Sequence, residues 1–234
     1  MDISLTTIIT DESRSRDLIA ENTSCILLKI SDFKLLVNCG GTYTALQNNI
    51  AKLELDLSDT EYIIITSPLP RYYSSIKYVI KQTRRLPKIF LPECMLGERI
   101  LTILRNMCGN NVVLVRDTVS LDDSIKLLRV NLSPTYSEIV LEVSDKLLIA
   151  TPGVALADLP DKLLLISRCR NVVIGLPIPV ISLDFNSVLT LLKRVATSSN
   201  VVLTHLTPPE TKRVLSRVLG LRRLYVGDTI KICY

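Results

Sequence analysis

The run Tyr62-Ile63-Ile64-Ile65 constrains the fold most, because it is strand-forming and has no polar alternation. A strand that is apolar at successive positions is buried on both faces, in the middle of a covered sheet. It stops at Thr66-Ser67-Pro68-Leu69-Pro70, where two prolines exclude helix interior and regular ladder alike.

Around this run the chain alternates short strands with amphipathic helices. Ser24 to Ile30 and Phe33 to Val37 read as a hairpin turning at Ser31-Asp32, ending in Asn38-Cys39-Gly40-Gly41. Thr42 or Thr44 caps a helix whose apolar face includes Leu46, Ile50, Leu53 and Leu57. A second helix is expected from about Tyr72 to Arg85, with Ile76, Val79 and Ile80 inward and Lys77, Lys81, Arg84 and Arg85 outward. Ile89 to Leu91 is a strand, Met95 to Met107 a helix, and the strand Val112 to Val115 closes the first half. The second half places strands at Ile125 to Val130, Glu138 to Val143, Lys146 to Ile149, Val172 to Ile174, Val201 to Leu203 and Ile230 to Cys233. Its helices are expected at Phe185 to Thr197 and Pro209 to Leu219, the latter ended by Gly220. Mixed elements of this kind fit two sheets packed face to face with helices outside.

At 234 residues the chain is long enough for one sizeable core, and it is read as a single domain with halves of about 1–118 and 119–234. No apolar run approaches the roughly 20 residues of a membrane span. Asp2, Asp11 and Glu12 stand where a signal peptide would be basic and then apolar, so a cytoplasmic protein is expected. The six cysteines are scattered singly, without the CxxC spacing of a zinc knuckle. The net charge of +5 favours polyanionic partners without demanding them, and one histidine, His205, cannot build a site that relies on imidazole ligands.

The order of these signals resembles the metallo-β-lactamase superfamily, in its nuclease-like branch. The resemblance rests on Leu35-Leu36-Val37-Asn38-Cys39-Gly40, on Ile63 to Tyr72, on Val201 to Leu206 and on Gly227-Asp228-Thr229-Ile230, and spans nearly the whole chain. It implies an αββα four-layer sandwich. It also implies a loop, T-H-x-H-x-D-H, that holds metal, and here Ser67, Leu69, Arg71 and Tyr72 replace its His, His, Asp and His. Leu132 stands near an expected third-motif His, Thr151 or Pro152 replaces a bridging Asp, Asn38 follows the hairpin, and His205 alone matches a ligand position. The resemblance therefore implies a degenerate member without a di-zinc site or other cofactor.

Arg71, in place of a metal-binding carboxylate, is expected to neutralise acidic groups or bind an anion in the old cleft. His205 reads as a hydrogen-bonded strand-end residue; a Cys39–His205 nucleophilic dyad is the alternative if the two loops meet. Lys77, Lys81, Arg84, Arg85, Lys212 and Arg213 read as ordinary solvated helix faces or as nucleic-acid contacts, with Tyr72, Tyr73 and Tyr78 as stacking candidates. The function expected is a non-catalytic binding or regulatory subunit, resembling metal-free partners of active nucleases in RNA-processing complexes. Its partner is an active nuclease of the same superfamily, RNA or DNA, or a second copy, and not a membrane. The alternative is a metal-independent enzyme in the remodelled cleft. The chain lacks the inserted domain of the branch's long nucleases, which counts against RNA cleavage.

Overall fold

The computed structural model describes residues 1–133, 135–151, 169–175, 192–193, 196–197, 199–204, 207 and 209–232. The first sheet is built from β1 (Ile3–Ile9), β2 (Cys25–Ile30), β3 (Phe33–Val37), β4 (Tyr62–Ile64), β5 (Lys88–Pro92), β6 (Val112–Val115) and β14 (Thr229–Ile232). The second comprises β7 (Thr118–Ser120), β8 (Ile125–Ser133), β9 (Tyr136–Val143), β10 (Leu147–Ala150), β11 (Asn171–Ile174), β12 (Asn200–Leu203) and β13 (Arg222–Arg223). Their orders are β14-β1-β2-β3-β4-β5-β6 and β13-β12-β11-β10-β9-β8-β7. In each sheet an antiparallel portion passes into a parallel one, at β3–β4 in the first and at β10–β11 in the second.

Side-chain alternation divides the interior into three apolar layers. In the β4 run, Ile63 and Ile65 point outward to the layer beneath α1 (Tyr43–Lys52), α2 (Ile76–Gln82) and α3 (Met95–Cys108), while Ile64 points into the layer between the sheets. In β10, Leu147 and Ile149 face the inter-sheet layer, and Leu148 and Ala150 face a third layer that contains Leu215 of α4 (Pro209–Leu219). Absent polar alternation is thus the sign of strands covered on both sides. Helix, sheet, sheet and helix make the four-layer α/β sandwich that the sequence implied.

Several boundaries differ from the sequence reading. The helix expected from Tyr72 to Arg85 is shorter: Pro70–Tyr72 forms a single 3₁₀ turn and α2 covers only Ile76–Gln82. Leu53 and Leu57 lie beyond α1, whose inward face is Ala45, Leu46, Asn49 and Ile50. β1, β7 and β13 have no counterpart in the sequence reading, and β14 returns from the second half to pair with β1, Ile3 facing Ile232. Pro152, His205, Cys233 and most of the helix expected over Phe185 to Thr197 lie outside the described residues.

Asn49 ties a long loop to this frame. Its buried amide donates to the carbonyls of Ile8 and Ile19 and accepts from the Ile19 N–H, each at 2.8 Å. Asn49→Leu is therefore expected to lower stability by about 2–4 kcal/mol, since it strands buried backbone groups of β1 and the loop. Urea unfolding of the variant measures it, and a loss below about 1 kcal/mol would show that the loop is held by other contacts.

Candidate functional site

The loops at the C-terminal ends of β3, β4 and β10 converge between the sheets, and Asn38 is their centre. It has a positive φ of 63°, a conformation Asn tolerates better than most residues, and it is fully buried. Its Oδ1 accepts from the Thr66 N–H at 2.8 Å and from Thr66 Oγ1 at 3.0 Å. Its Nδ2 donates to Ser24 Oγ at 2.8 Å and to Thr151 Oγ1 at 3.3 Å. Both amide hydrogens are used, and Oδ1 is held by the Thr66 N–H and faces the Thr66 hydroxyl, whose single proton lies between it and the Thr151 carbonyl. Thr66 Oγ1 also bonds the Thr151 carbonyl, and the Thr66 carbonyl accepts from the Ile139 N–H at 2.8 Å, so one threonine ties β4 to two strands of the opposite sheet.

The loop after β4 is anchored as firmly. Ser67 is buried, with Oγ 3.0 Å from the Tyr136 hydroxyl, which donates to Glu138 Oε1 at 2.8 Å. Burial, reinforced by the Glu138 charge, pushes the Tyr136 phenol up, and burial does the same to Tyr72. Leu69 packs on the outer apolar layer, and Leu132, near the end of β8, packs against the third. Gly40 is required because a Cβ there would overlap Thr23 Oγ1 and the Arg71 carbonyl.

Arg71 lies elsewhere than the sequence suggested. Its carbonyl accepts from Thr23 Oγ1, while its side chain is exposed and lines a groove of about 440 Å³ with Glu21, Asn22, Thr42, Tyr43 and Ser74. It sits at the mouth of the site and not among the Asn38 partners. Glu21 in that groove is committed to the start of α1, accepting from the Thr42 N–H at 2.7 Å and Thr42 Oγ1 at 2.6 Å.

The candidate contact residues divide into separate surfaces. Lys77, Lys81, Arg84 and Arg85 are exposed on and after α2, on the outer side of the first sheet. Arg213 is exposed on α4, on the outer side of the second. Lys212 is not a surface contact: its side chain is fully buried and its ammonium bonds Asp11 and Glu12, the latter at 3.3 Å. Of two adjacent basic residues on a helix about 100° apart, one faces the core, and helical spacing assigns that place to Lys212 beside Leu215. Tyr72 and Tyr78 are buried and cannot stack on a base; the exposed aromatic in this region is Tyr43, which the sequence reading passed over. Ser24, Tyr136 and Glu138 were missed as well, although a carboxylate inside an otherwise apolar strand is a signal that it has a buried partner.

Cys39 is buried beside Cys25, and burial pushes both thiols well above the ordinary thiol range. A thiolate nucleophile needs the opposite shift, and His205, the other half of the dyad reading, lies outside the described residues. Neither cysteine should be alkylated by iodoacetamide in the folded protein, as peptide mass mapping would record; labelling of native Cys39 would revive it. The folded state also retains thiol protons that the unfolded chain releases. Stability should consequently decline as pH rises above about 8.5, the unfolded thiol value.

The fold implies a metal centre, but the described residues at its loop positions do not fit one. Zinc needs N, O or S donors converging at about 2.0–2.2 Å for N and O. Asn38 Oδ1 faces the N–H and hydroxyl of Thr66, Leu69 has no lone pair to offer, Arg71 carries a positive charge and burial favours the protonated phenol of Tyr72. Among the described residues no group of three or more His, Cys, Asp or Glu is placed to hold an ion.

No family model and no curated protein matches the sequence. Solved structures do match the fold. Tm1679, a metal-dependent hydrolase of the β-lactamase superfamily, superposes with a TM-score of 0.70 at 13% identity, over 99% of this chain and 100% of that one. YhfI of Bacillus subtilis, a metallo-β-lactamase fold protein, gives 0.65 at 10% identity, over 99% of each chain. The short form of human tRNase Z gives 0.61 at 14% identity over the whole of both chains. Full-length coverage by these structures, with the layer order described above, establishes that the chain has the metallo-β-lactamase fold.

Proposed function

We propose that the protein is a non-catalytic binding or regulatory subunit in the cytoplasm, serving an RNA- or DNA-processing complex with an active nuclease of the same fold as its partner. The observation that carries this reading is the closed Asn38 cluster beside a loop without metal donors. Asn38 Oδ1 accepts from Thr66 and its Nδ2 donates to Ser24 and Thr151, while Leu69, Arg71 and Tyr72 offer the loop no ligand. Such a centre is a closed structural joint, and what the molecule offers to others is its outer surface. Ser67 lends the metal-independent enzyme no support, because its hydroxyl is buried against Tyr136. Similarity to tRNase Z, though confined to fold, is compatible with a setting in nucleic-acid processing.

The test is elemental analysis by mass spectrometry of protein purified without a metal-affinity tag, followed by zinc titration and co-purification from native extract. Expected are less than about 0.1 metal per chain, no change in melting temperature on adding EDTA, and a co-purifying nuclease that survives chelation. Stoichiometric zinc together with turnover of bis-p-nitrophenyl phosphate would overturn the proposal.

A further inference from the structure

The charge of this chain is unevenly placed. Between Glu61 and Glu93 there are six basic residues and no acidic one, a local excess greater than the +5 of the entire chain. Neither α1 nor α2 contains an Asp or Glu. Lys77 and Lys81, one helical turn apart, are exposed along α2, Lys52 is exposed at the end of α1, and Arg71 is exposed at the mouth of the groove. Arg84 differs, since Asp59 pairs with it at 3.3 Å.

An aromatic ring adjoins this basic face. Tyr43, in the first turn of α1, is 56% exposed although it is a large side chain, and it lines the same groove as Arg71. It is not loose: its ring meets that of Tyr78 of α2 edge-on, with centroids 4.9 Å apart and planes at 82°. Tyr78 is itself buried, so Tyr43 is buttressed on one side and open on the other.

We infer that the α1–α2 face binds single-stranded nucleic acid, a base stacking on Tyr43 and successive phosphates meeting Arg71, Lys77 and Lys81. This rests on reading the protein as a binding subunit and specifies what that surface takes. A held aromatic ring beside a row of cations is the combination that single-strand binders use, whereas a duplex keeps its bases stacked on one another and has no face for Tyr43. A second copy of the chain is disfavoured, since a two-fold contact through this face would bring like charges together. Glu21 is the carboxylate nearest to Arg71 in the groove, and its bonds to Thr42 hold it at the helix start.

The experiment is fluorescence anisotropy of a fluorescein-labelled 15-nucleotide oligouridine RNA with the full chain. Three phosphate contacts predict that log Kobs falls with log salt at a slope of about −2. Tyr43→Ala should weaken binding about tenfold or more, and Tyr43→Phe should restore it, because stacking needs the ring and not the hydroxyl. The Lys77→Glu/Lys81→Glu double variant should also weaken binding more than tenfold and flatten the salt slope. Arg213→Glu/Arg217→Glu, on the opposite outer layer, should leave affinity unchanged. All four variants alter only exposed positions, and circular dichroism checks that each is folded.

Undiminished binding by Tyr43→Ala and by the lysine variant, or an equal loss in the α4 variant, would overturn the inference in favour of diffuse attraction. Failure to bind RNA, with a protein partner whose capture depends on Tyr43, would overturn it in favour of a protein interface. A denaturing gel of the same oligonucleotide separates this proposal from the one it rests on. Cleavage of the RNA defeats the non-catalytic reading, while intact RNA bound independently of Tyr43 defeats only the inference.

Discussion

Replacing Asp11 and Glu12 together with alanine is expected to destabilise the protein by about 3–5 kcal/mol, the usual cost of leaving a buried charge without its partners. Lys212 has no exposed side-chain surface, and its counter-charges Asp11 and Glu12 come from the loop after β1. Glu12 is shared further with Arg223, 3.2 Å away, so the carboxylate pair joins α4 and β13 to the beginning of the chain. If the cost comes from the stranded ammonium, adding Lys212→Met to the double variant should recover most of the loss, because a similar apolar stem then fills the same space. Urea midpoints of the double and triple variants decide the matter. Equal stability of the two would mean that the loop, and not the ion pair, is what the carboxylates support.

Asn38→Leu should lower stability by about 3–5 kcal/mol, through buried groups left without partners and a branched side chain forced into positive φ. The Thr66 N–H and the Ser24 and Thr151 hydroxyls lose the amide, and Thr66 keeps its hydroxyl bond to the Thr151 carbonyl and its carbonyl bond from Ile139. Asn38→Gly removes the backbone strain but restores no hydrogen bond, so it should recover only about 1 kcal/mol of that loss. A leucine variant within about 1 kcal/mol of the unaltered protein would show that water takes over the amide's role, and the closed-joint picture would fail.

Sandwich architecture was legible because periodicity reports burial directly. The Ile63-Ile64-Ile65 and Leu147-Leu148-Ile149 runs could belong only to strands covered on both sides, and the capped segments between them to helices. β1 escaped notice because Ile3-Ser4-Leu5-Thr6 alternates and then continues as Thr7-Ile8-Ile9, with a register shift between Thr7 and Ile9. β13 is only two residues long and pairs through Val202 and Leu203, which no local pattern announces.

The candidate site was legible as a set of substitutions and illegible as an arrangement. Spacing showed that Ser67, Leu69, Arg71 and Tyr72 follow a buried strand, but which of them points inward depends on the 3₁₀ turn at Pro70–Tyr72. That turn buries Tyr72 and leaves Arg71 outside. Lys212 was misread for a related reason: lysine on an amphipathic helix is ordinarily exposed, and its buried partners lie at the other end of the sequence. Tyr43 carried no signal at all until α2 placed Tyr78 against it.

The pairing of β14 with β1 has a consequence for how the molecule comes into being. β1 and its partner on one side lie far apart in the sequence, so β1 is synthesised long before β14, with Ile3 facing Ile232 and Thr6 facing Thr229. A chain emerging from the ribosome at about 5–20 residues per second can assemble β1 to β6 early, yet must carry β1 as an open edge until β14 has followed. A chain that stopped before Thr229 would keep the other strands of both sheets but leave β1 as an unpaired edge. β14 thus trades that edge for a short one of four residues that carries the exposed Lys231, the kind of charged border that resists pairing with a second chain.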